Sequence, residues 1–156
     1  MAKEEIFNAK VESMAMYGAL LKQIIKEDGL EKALKMHAAV GVPEGDQMGK
    51  ALKESLAGKK LNIPDLSKFI AKGNENVGMH AEFVETPKSL IIKFDKCLMY
   101  EGLQKAGVDH GTIQKMCASM SSAEYNELNK HFPELKGKVK FRDSPKSSCV
   151  EEFTIK

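Results

Sequence analysis

The spacing of apolar residues changes about halfway along the chain, and this change constrains the fold more than any other feature. Over residues 4–26 the apolar side chains recur every three or four positions, a period that predicts an amphipathic helix. The same spacing, interrupted by "GVPEGD" and "LNIPD", predicts further helices over residues 30–41, 47–56 and 65–72. The first half of the chain is therefore predicted to be helical.

Two later parts of the chain alternate between apolar and polar residues, which is the period of a strand with one buried face. The first part places the predicted strands 79–85 and Ser89–Phe94 on either side of "TPK". The second places residues 139–143 and Cys149–Ile155 on either side of "SPKS". Each pair predicts a hairpin, because two short alternating runs joined by a turn sequence pair in antiparallel fashion.

Helical spacing returns between the two hairpins, over residues 97–106, 112–120 and 121–131. Ser121 followed by Glu124 predicts a capping box at the start of the third of these helices. The whole chain is predicted to be one α+β domain spanning residues 1–156. Its sheet is expected to contain about four antiparallel strands, made by the hairpins over residues 79–94 and 139–155.

The charge balance and the hydropathy exclude two classes of partner. The chain has 24 Lys and Arg against 22 Asp and Glu, so it lacks the clustered basic excess of a nucleic-acid-binding surface. No apolar run approaches the length of about 20 residues that a membrane-spanning helix needs, and the first residues lack the apolar core of a signal peptide. We expect partners that are small molecules or further copies of this chain, not nucleic acids or membranes.

The three cysteines are an odd number and lie far apart in the sequence, which is unlike a disulfide framework. A reducing cytoplasm is therefore the expected location. Their spacings of 20 and 32 residues do not match a zinc pattern. No cofactor is predicted, although a metal held by cysteine thiolates stays open as an alternative.

Cys97 lies where a predicted strand leads into a predicted helix. The N–H groups and macrodipole at a helix N-terminus stabilise a thiolate, and Lys96 adds a neighbouring positive charge. A thiolate at this position would serve as a nucleophile or as a metal ligand. Taken alone, a small buried residue at a tight junction is the simpler interpretation, since free cysteine is among the most buried residue types.

The other two cysteines lie on a helix and on a strand. Cys117 falls among apolar residues at helical spacing, and Cys149 begins the last strand on the same face as Phe153. Core packing is the simpler interpretation of each thiol, although three elements of one fold can converge. Glu151 shares that strand face, where an unpaired carboxylate is unfavourable, so it is also a candidate for a ligand site.

Two further side chains carry chemistry of their own. His110 lies in the glycine-flanked loop "GVDHG", where an imidazole acts as an acid or base near neutral pH or simply as a turn residue. Arg142 is the only arginine, so one side chain alone offers planar, bidentate recognition of a carboxylate. A Walker loop, HExxH and GxSxG are all absent from the sequence.

The second half of the chain resembles the L-2-amino-thiazoline-4-carboxylic acid hydrolase family. The resemblance covers roughly residues 88–156 and rests on the three cysteines in "IIKFDKCLMYEGLQKAGV", "IQKMC" and "VKFRDSPKSSCVEEF". It implies a hydrolase that opens a C–N bond of a cyclic amidine. Under this resemblance the catalytic residues are Cys97, Cys149 and His110, and the substrate-binding residues are Arg142, Lys96, Cys117 and Glu151.

Two functions of other classes fit the same residues. A pocket between the sheet and the helices could hold a small apolar or metal-containing ligand without turning it over. Three buried and inert thiols would instead mark a scaffold protein or a homo-oligomer. Convergence of the three cysteines on one pocket is the observation that separates a ligand site from scattered core positions.

Overall fold

The computed structural model describes residues 2–156. Its five helices are α1 (Lys3–Asp28), α2 (Leu30–Leu56), α3 (Ile63–Asn76), α4 (Leu98–Lys105) and α5 (His110–His131). The four strands of the described residues are β1 (Glu82–Glu85), β2 (Ser89–Phe94), β3 (Leu135–Lys140) and β4 (Cys149–Ile155). The predicted α+β fold, with a helical N-terminal half and a four-stranded antiparallel sheet, is confirmed.

Helix α2 is continuous through the segment in which the sequence predicted a turn. The helices expected over residues 30–41 and 47–56 are one helix, with Pro43 in its interior. An interior proline disfavours a helix by about 3 kcal/mol and a glycine by about 1 kcal/mol, so local preference favoured the break. That prediction was wrong because this part of α2 is buried against α5.

Three buried glycines, spaced four residues apart, bring the backbone of α2 against α5. A methyl group at Gly41 would lie 2.6 Å from the carbonyl oxygen of Met120, and one at Gly45 would overlap the backbone of Glu124. A methyl group at Gly49 would overlap the side chain of His131, in the last turn of α5. Any larger side chain on this stripe would push the two helices apart, which explains why glycine is tolerated inside a long helix.

Helix α5 is also continuous, so the helices predicted over residues 112–120 and 121–131 are one. The pattern of Ser121 and Glu124 does not cap a helix, since it lies inside the part of α5 that packs on α2. The helix instead begins after Asp109, whose carboxylate accepts a 3.0 Å hydrogen bond from a backbone N–H. Tertiary packing thus outweighs a local capping signal of about 1 kcal/mol.

The strands follow the order β1-β2-β4-β3, so the two hairpins meet where β2 pairs with β4. In that pairing Cys149 lies opposite Phe94, and Glu151 lies opposite Ile92. Because side chains alternate along a strand, Cys149 and Glu151 point to the same face of the sheet. The join between the hairpins therefore carries two of the candidate residues.

The bounds of two strands differ from those predicted. Strand β3 begins at Leu135, not at residue 139, because Leu135 is buried in the core and pairs with Ile155 on β4. The predicted end of that strand, residues 141–143, lies in the connection to β4. Strand β1 covers the last four residues of the predicted 79–85.

Two apolar clusters fill the interior. One involves the sheet and helices α2, α3 and α5, and its buried members are Leu52, Leu56, Leu61, Ile63, Leu66, Leu90, Ile92, Phe94, Leu128, Phe132, Leu135 and Phe153. The other involves helices α1, α2, α4 and α5 and contains Leu21, Ala33, Tyr100, Leu103, Val108, Ile113 and Met116.

No helix in residues 2–156 is both long enough and apolar enough to span a membrane.

Candidate functional site

The three cysteines line one cavity, although each belongs to a different part of the fold. The cavity has a volume of about 160 Å³ and lies where the two apolar clusters meet. Its walls are formed by Met79, Phe94, Cys97, Met99, Tyr100, Cys117, Met120, Ser121, Glu124, Val139, Phe141, Cys149 and Glu151. We refer to it as the cysteine-lined cavity. It brings together four of the residues that the sequence singled out.

Local structure explains how each thiol reaches this cavity. Cys97 is the N-cap of α4, at the junction between strand and helix that the sequence predicted. Cys149 begins β4, and Glu151 follows on the same strand face. Cys117 lies on α5, where it packs against the second apolar cluster. An N-cap, a strand and a helix thus supply three sulfur atoms to a common wall.

Burial keeps two of the thiols protonated. It raises the pKa of Cys97, although backbone N–H groups at the start of α4 act in the opposite direction. Burial, with the neighbouring thiols, raises the pKa of Cys117 to about 12. Burial therefore opposes the thiolate that the N-terminus of α4 favours, because desolvation is the larger of the two effects on the pKa of Cys97.

Two carboxylic acids share the cavity with the thiols. Burial raises the pKa of Glu124 to about 8, and the nearby negative charges of Glu151 and Glu44 act in the same direction. Burial also raises the pKa of Glu151 to about 7. A carboxyl group with such a pKa is partly protonated at neutral pH, so it donates as well as accepts hydrogen bonds.

His110 is not among the residues that line the cavity. Its Nδ1 forms a 2.8 Å hydrogen bond with the hydroxyl of Tyr100, and its Nε2 is buried without a hydrogen-bond partner. Within residues 2–156 no hydrogen bond joins His110 to a cysteine. Tyr100 links this imidazole to the cavity, because its hydroxyl is hydrogen-bonded to His110 and its side chain lines the cavity.

Arg142 and Lys96 also lie outside the cavity wall. The Arg142 side chain is buried, with 2% of the residue exposed, and its guanidinium lies 4.0 Å from the ring centroid of Tyr100. It donates hydrogen bonds to the carbonyl oxygens of Asp95 at 3.2 Å and Pro145 at 3.4 Å. Lys96 is exposed to solvent. Arg142 therefore ties two loops to α4, and neither cation faces the cavity.

Sequence reasoning missed Glu124, which was assigned to a helix cap. A signal for it was present, since Met120 and Ser121 each lie three or four residues from both Cys117 and Glu124. Residues at those intervals share one face of a helix. A continuous α5 would have placed Glu124 beside Cys117. Phe141, just beyond β3, carried no comparable signal because it lies in an irregular connection.

The positions of the acidic, thiol and imidazole groups also bear on metal binding. Across the described residues, no three His, Cys, Asp or Glu side chains are placed so that they could hold a metal ion together. A metal held by cysteine thiolates stays the open alternative that the sequence left.

Comparison with known proteins places the fold. No protein-family model and no curated protein matches the chain. Among solved structures, the chain is similar to a trafficking protein particle complex subunit 3 from Naegleria fowleri, covalently bound to palmitic acid. The two share 14% sequence identity, the match covers 96% of each chain, and the TM-score is 0.54. A likeness at this identity establishes the fold alone.

The resemblance to the L-2-amino-thiazoline-4-carboxylic acid hydrolase family was wrong, and so was the cyclic-amidine hydrolase function that it implied. The fold likeness is to a trafficking particle subunit, and no family model supports the hydrolase. The resemblance rested on the order of three cysteines. Such an order fixes three places in a fold and leaves open the chemistry between them.

Proposed function

We propose that the chain is a non-catalytic binding protein that holds a small apolar ligand in the cysteine-lined cavity. The observation that carries this proposal is the convergence of Cys97, Cys117 and Cys149 on one cavity of about 160 Å³. A cavity of about 150 Å³ with apolar walls accommodates a molecule the size of benzene. Most of the remaining wall is methionine, valine and aromatic side chain, which suits an apolar occupant.

The state of the polar groups supports binding over catalysis. A catalytic cysteine needs a lowered pKa or an adjacent base, whereas burial raises the pKa of both Cys97 and Cys117. His110, the candidate base, is hydrogen-bonded to Tyr100. An inert thiol still contributes a soft, polarisable contact surface to an apolar ligand.

The fold neighbour also supports an apolar ligand, since that subunit is covalently bound to palmitic acid. For the present chain we propose a shorter molecule held without a covalent bond. The cavity has room for about one aromatic ring, which is less than a long acyl chain occupies. Protonated thiols also attack acyl groups poorly.

Thermal unfolding with benzyl alcohol as the probe tests this proposal, because a ligand that binds the folded state alone raises the Tm. Val139→Phe places a ring in the cavity wall and should abolish the increase. The matched control is Val150→Phe, on the paired strand β4 but outside the cavity lining. An unchanged Tm of the unsubstituted chain, or an equal increase in both variants, would contradict the proposal.

A second candidate function is a place in a protein assembly, which exposed apolar side chains on the first two helices favour. Met16 and Leu20 on α1 are 77% and 57% exposed, and Met36 and Val40 on α2 are 46% and 37% exposed. Each pair is four residues apart and shares one helix face. The fold neighbour is itself a subunit of a protein complex. We propose a second copy of this chain as partner, because a net charge of +2 opposes self-association weakly.

Sedimentation velocity over a range of protein concentrations tests self-association. The double variant Met16→Lys, Leu20→Lys should be monomeric where the unsubstituted chain is dimeric. Val84→Lys is the control, since Val84 is equally exposed at 57% but lies on β1. A chain that sediments as a monomer at every concentration would rule out this second function.

A further inference from the structure

The cysteine-lined cavity contains acidic side chains without a basic one among the described residues. Glu124 and Glu151 line it, whereas no lysine, arginine or histidine of the described residues does. The chain as a whole has slightly more basic than acidic residues, 24 against 22, so the cavity departs from the average composition. Neither carboxylate forms an ion pair within residues 2–156.

Enclosed carboxylates without a partner are unfavourable, and their protonation behaviour reflects this. The pKa values of Glu124 and Glu151 are raised to about 8 and about 7, mainly by burial. The hydroxyl of Tyr125, the residue after Glu124, is buried and lies beside the Glu151 carboxyl group. The cavity thus carries two carboxyl groups that no cation of the described residues neutralises.

Aromatic rings form part of the remaining wall. The rings of Phe94, Tyr100 and Phe141 all line the cavity. The Tyr100 ring already holds the guanidinium of Arg142 at 4.0 Å from its centroid, which leaves Phe94 and Phe141 for an occupant. An aromatic face attracts a cation and also packs against an apolar ring.

We infer that the cysteine-lined cavity binds a small primary amine carried on an apolar or aromatic body. This inference rests on the proposed function, because it names the chemical class of the ligand that the cavity holds. The ammonium group has three N–H donors, which suit the carboxyl groups of Glu124 and Glu151, and its positive charge favours the ionised form of both. The apolar body, about one ring in size, packs among Phe94, Phe141 and the methionines.

The same wall disfavours an acidic ligand. A carboxylate in the cavity would lie against Glu124 and Glu151 with no cation lining the space. Like charges that share a site oppose ionisation, so a bound carboxylate would require both glutamates to stay protonated, whereas Glu151, with a pKa of about 7, is partly ionised at neutral pH. A neutral alcohol of the same shape is neither repelled by the two carboxyl groups, as an acid is, nor attracted to them by charge, as an amine is.

Three ligands with the same ring separate these cases: benzylamine, benzyl alcohol and benzoate. Isothermal titration at neutral pH should give a Kd for benzylamine at least about tenfold below that for benzyl alcohol, because charge-assisted hydrogen bonds exceed neutral ones. Benzoate should bind more weakly than the alcohol. The comparison uses the unsubstituted chain, so it does not depend on whether a variant folds.

Glutamine variants then assign the preference to the two carboxylates. Glu151→Gln and Glu124→Gln should each bring the benzylamine Kd close to that of benzyl alcohol. Glu152→Gln is the matched control, since Glu152 is the next residue of β4 and pairs with Lys138 at 2.7 Å outside the cavity. Retention of the amine preference in both cavity variants would overturn the inference.

The remaining outcomes distinguish the inference from the proposed function. Equal binding of benzylamine and benzyl alcohol by the unsubstituted chain, or tighter binding of benzoate, would overturn the amine preference and leave the binding function standing. Failure of all three ligands to bind would overturn both.

Discussion

Replacing Arg142 by methionine should destabilise the fold more than it affects the cavity. Its guanidinium is buried, lies against the Tyr100 ring and donates to the carbonyl oxygens of Asp95 and Pro145. One of its nitrogens also lies 3.7 Å from the Glu101 carboxylate. Methionine would fill much of the volume and leave all of these groups without their partner.

The expected loss follows from those contacts. Two hydrogen bonds from a charged donor contribute about 1.5 kcal/mol each at the low end of their range, which suits distances of 3.2 and 3.4 Å. The stacked ring adds about 1 kcal/mol, and the partly exposed Glu101 adds little. The free energy of unfolding should therefore fall by about 4 kcal/mol, within the range for breaking a buried charge contact.

Urea denaturation measures this change. With a slope of about 2 kcal/mol per molar urea, a loss of about 4 kcal/mol lowers the midpoint by about 2 M. Arg142→Lys keeps the charge but not the planar fork, so its midpoint should lie between those of the unsubstituted chain and Arg142→Met. A midpoint of Arg142→Met equal to that of the unsubstituted chain would refute a structural role for this side chain.

Three further predictions concern packing, protonation and thiol access. Gly45→Ala should destabilise the fold by about 2 kcal/mol because its methyl group overlaps α5; Gly73→Ala, with open space around it, should stabilise α3 by up to about 1 kcal/mol, and equal midpoints in urea would contradict this. The folded-state pKa of Glu151, about 7, lies above its ordinary 4.5, so the stability it contributes is complete below pH 4.5 and is lost as the pH rises through 7. In Glu151→Gln this loss should be absent, which amounts to up to about 3 kcal/mol in the free energy of unfolding. Equal dependence of the free energy of unfolding on pH in the two proteins would disprove it. Cys97 and Cys117 should react with maleimide in urea but slowly in the folded state, and rapid labelling of either in native buffer would show a reactive thiol.

Local sequence patterns located most elements because they depend on residues within one segment. The run over residues 4–26 matches α1, and "SLIIKF" is β2 from end to end. The patterns failed inside α2 and α5, where Pro43 and the pair Ser121 and Glu124 are strong local signals for a break. Burial of one helix against the other decided both cases, and that contact joins segments far apart in the chain.

Some features of the candidate site could also be predicted from local patterns, whereas others depended on tertiary packing. The strand period predicted that Cys149 and Glu151 share a face, and the structure agrees. Whether Cys117 would meet them depended on how α5 packs, which no local pattern records. Arg142 illustrates the other limit, since its residue type suggested a ligand anchor, while its guanidinium donates to a carbonyl of its own loop and to that of Asp95, 47 residues away.

The strand order has a consequence for how the chain acquires its structure. The last strand is an inner strand, and it pairs with β2 across a separation of 55 residues between Phe94 and Cys149. Closing so long a loop delays pairing relative to local contacts. A nascent chain on the ribosome can form its helices and the hairpin of β1 and β2 before β4 is available. The cysteine-lined cavity, however, has no complete wall until residues 149–151 have been synthesised and β4 has paired with β2.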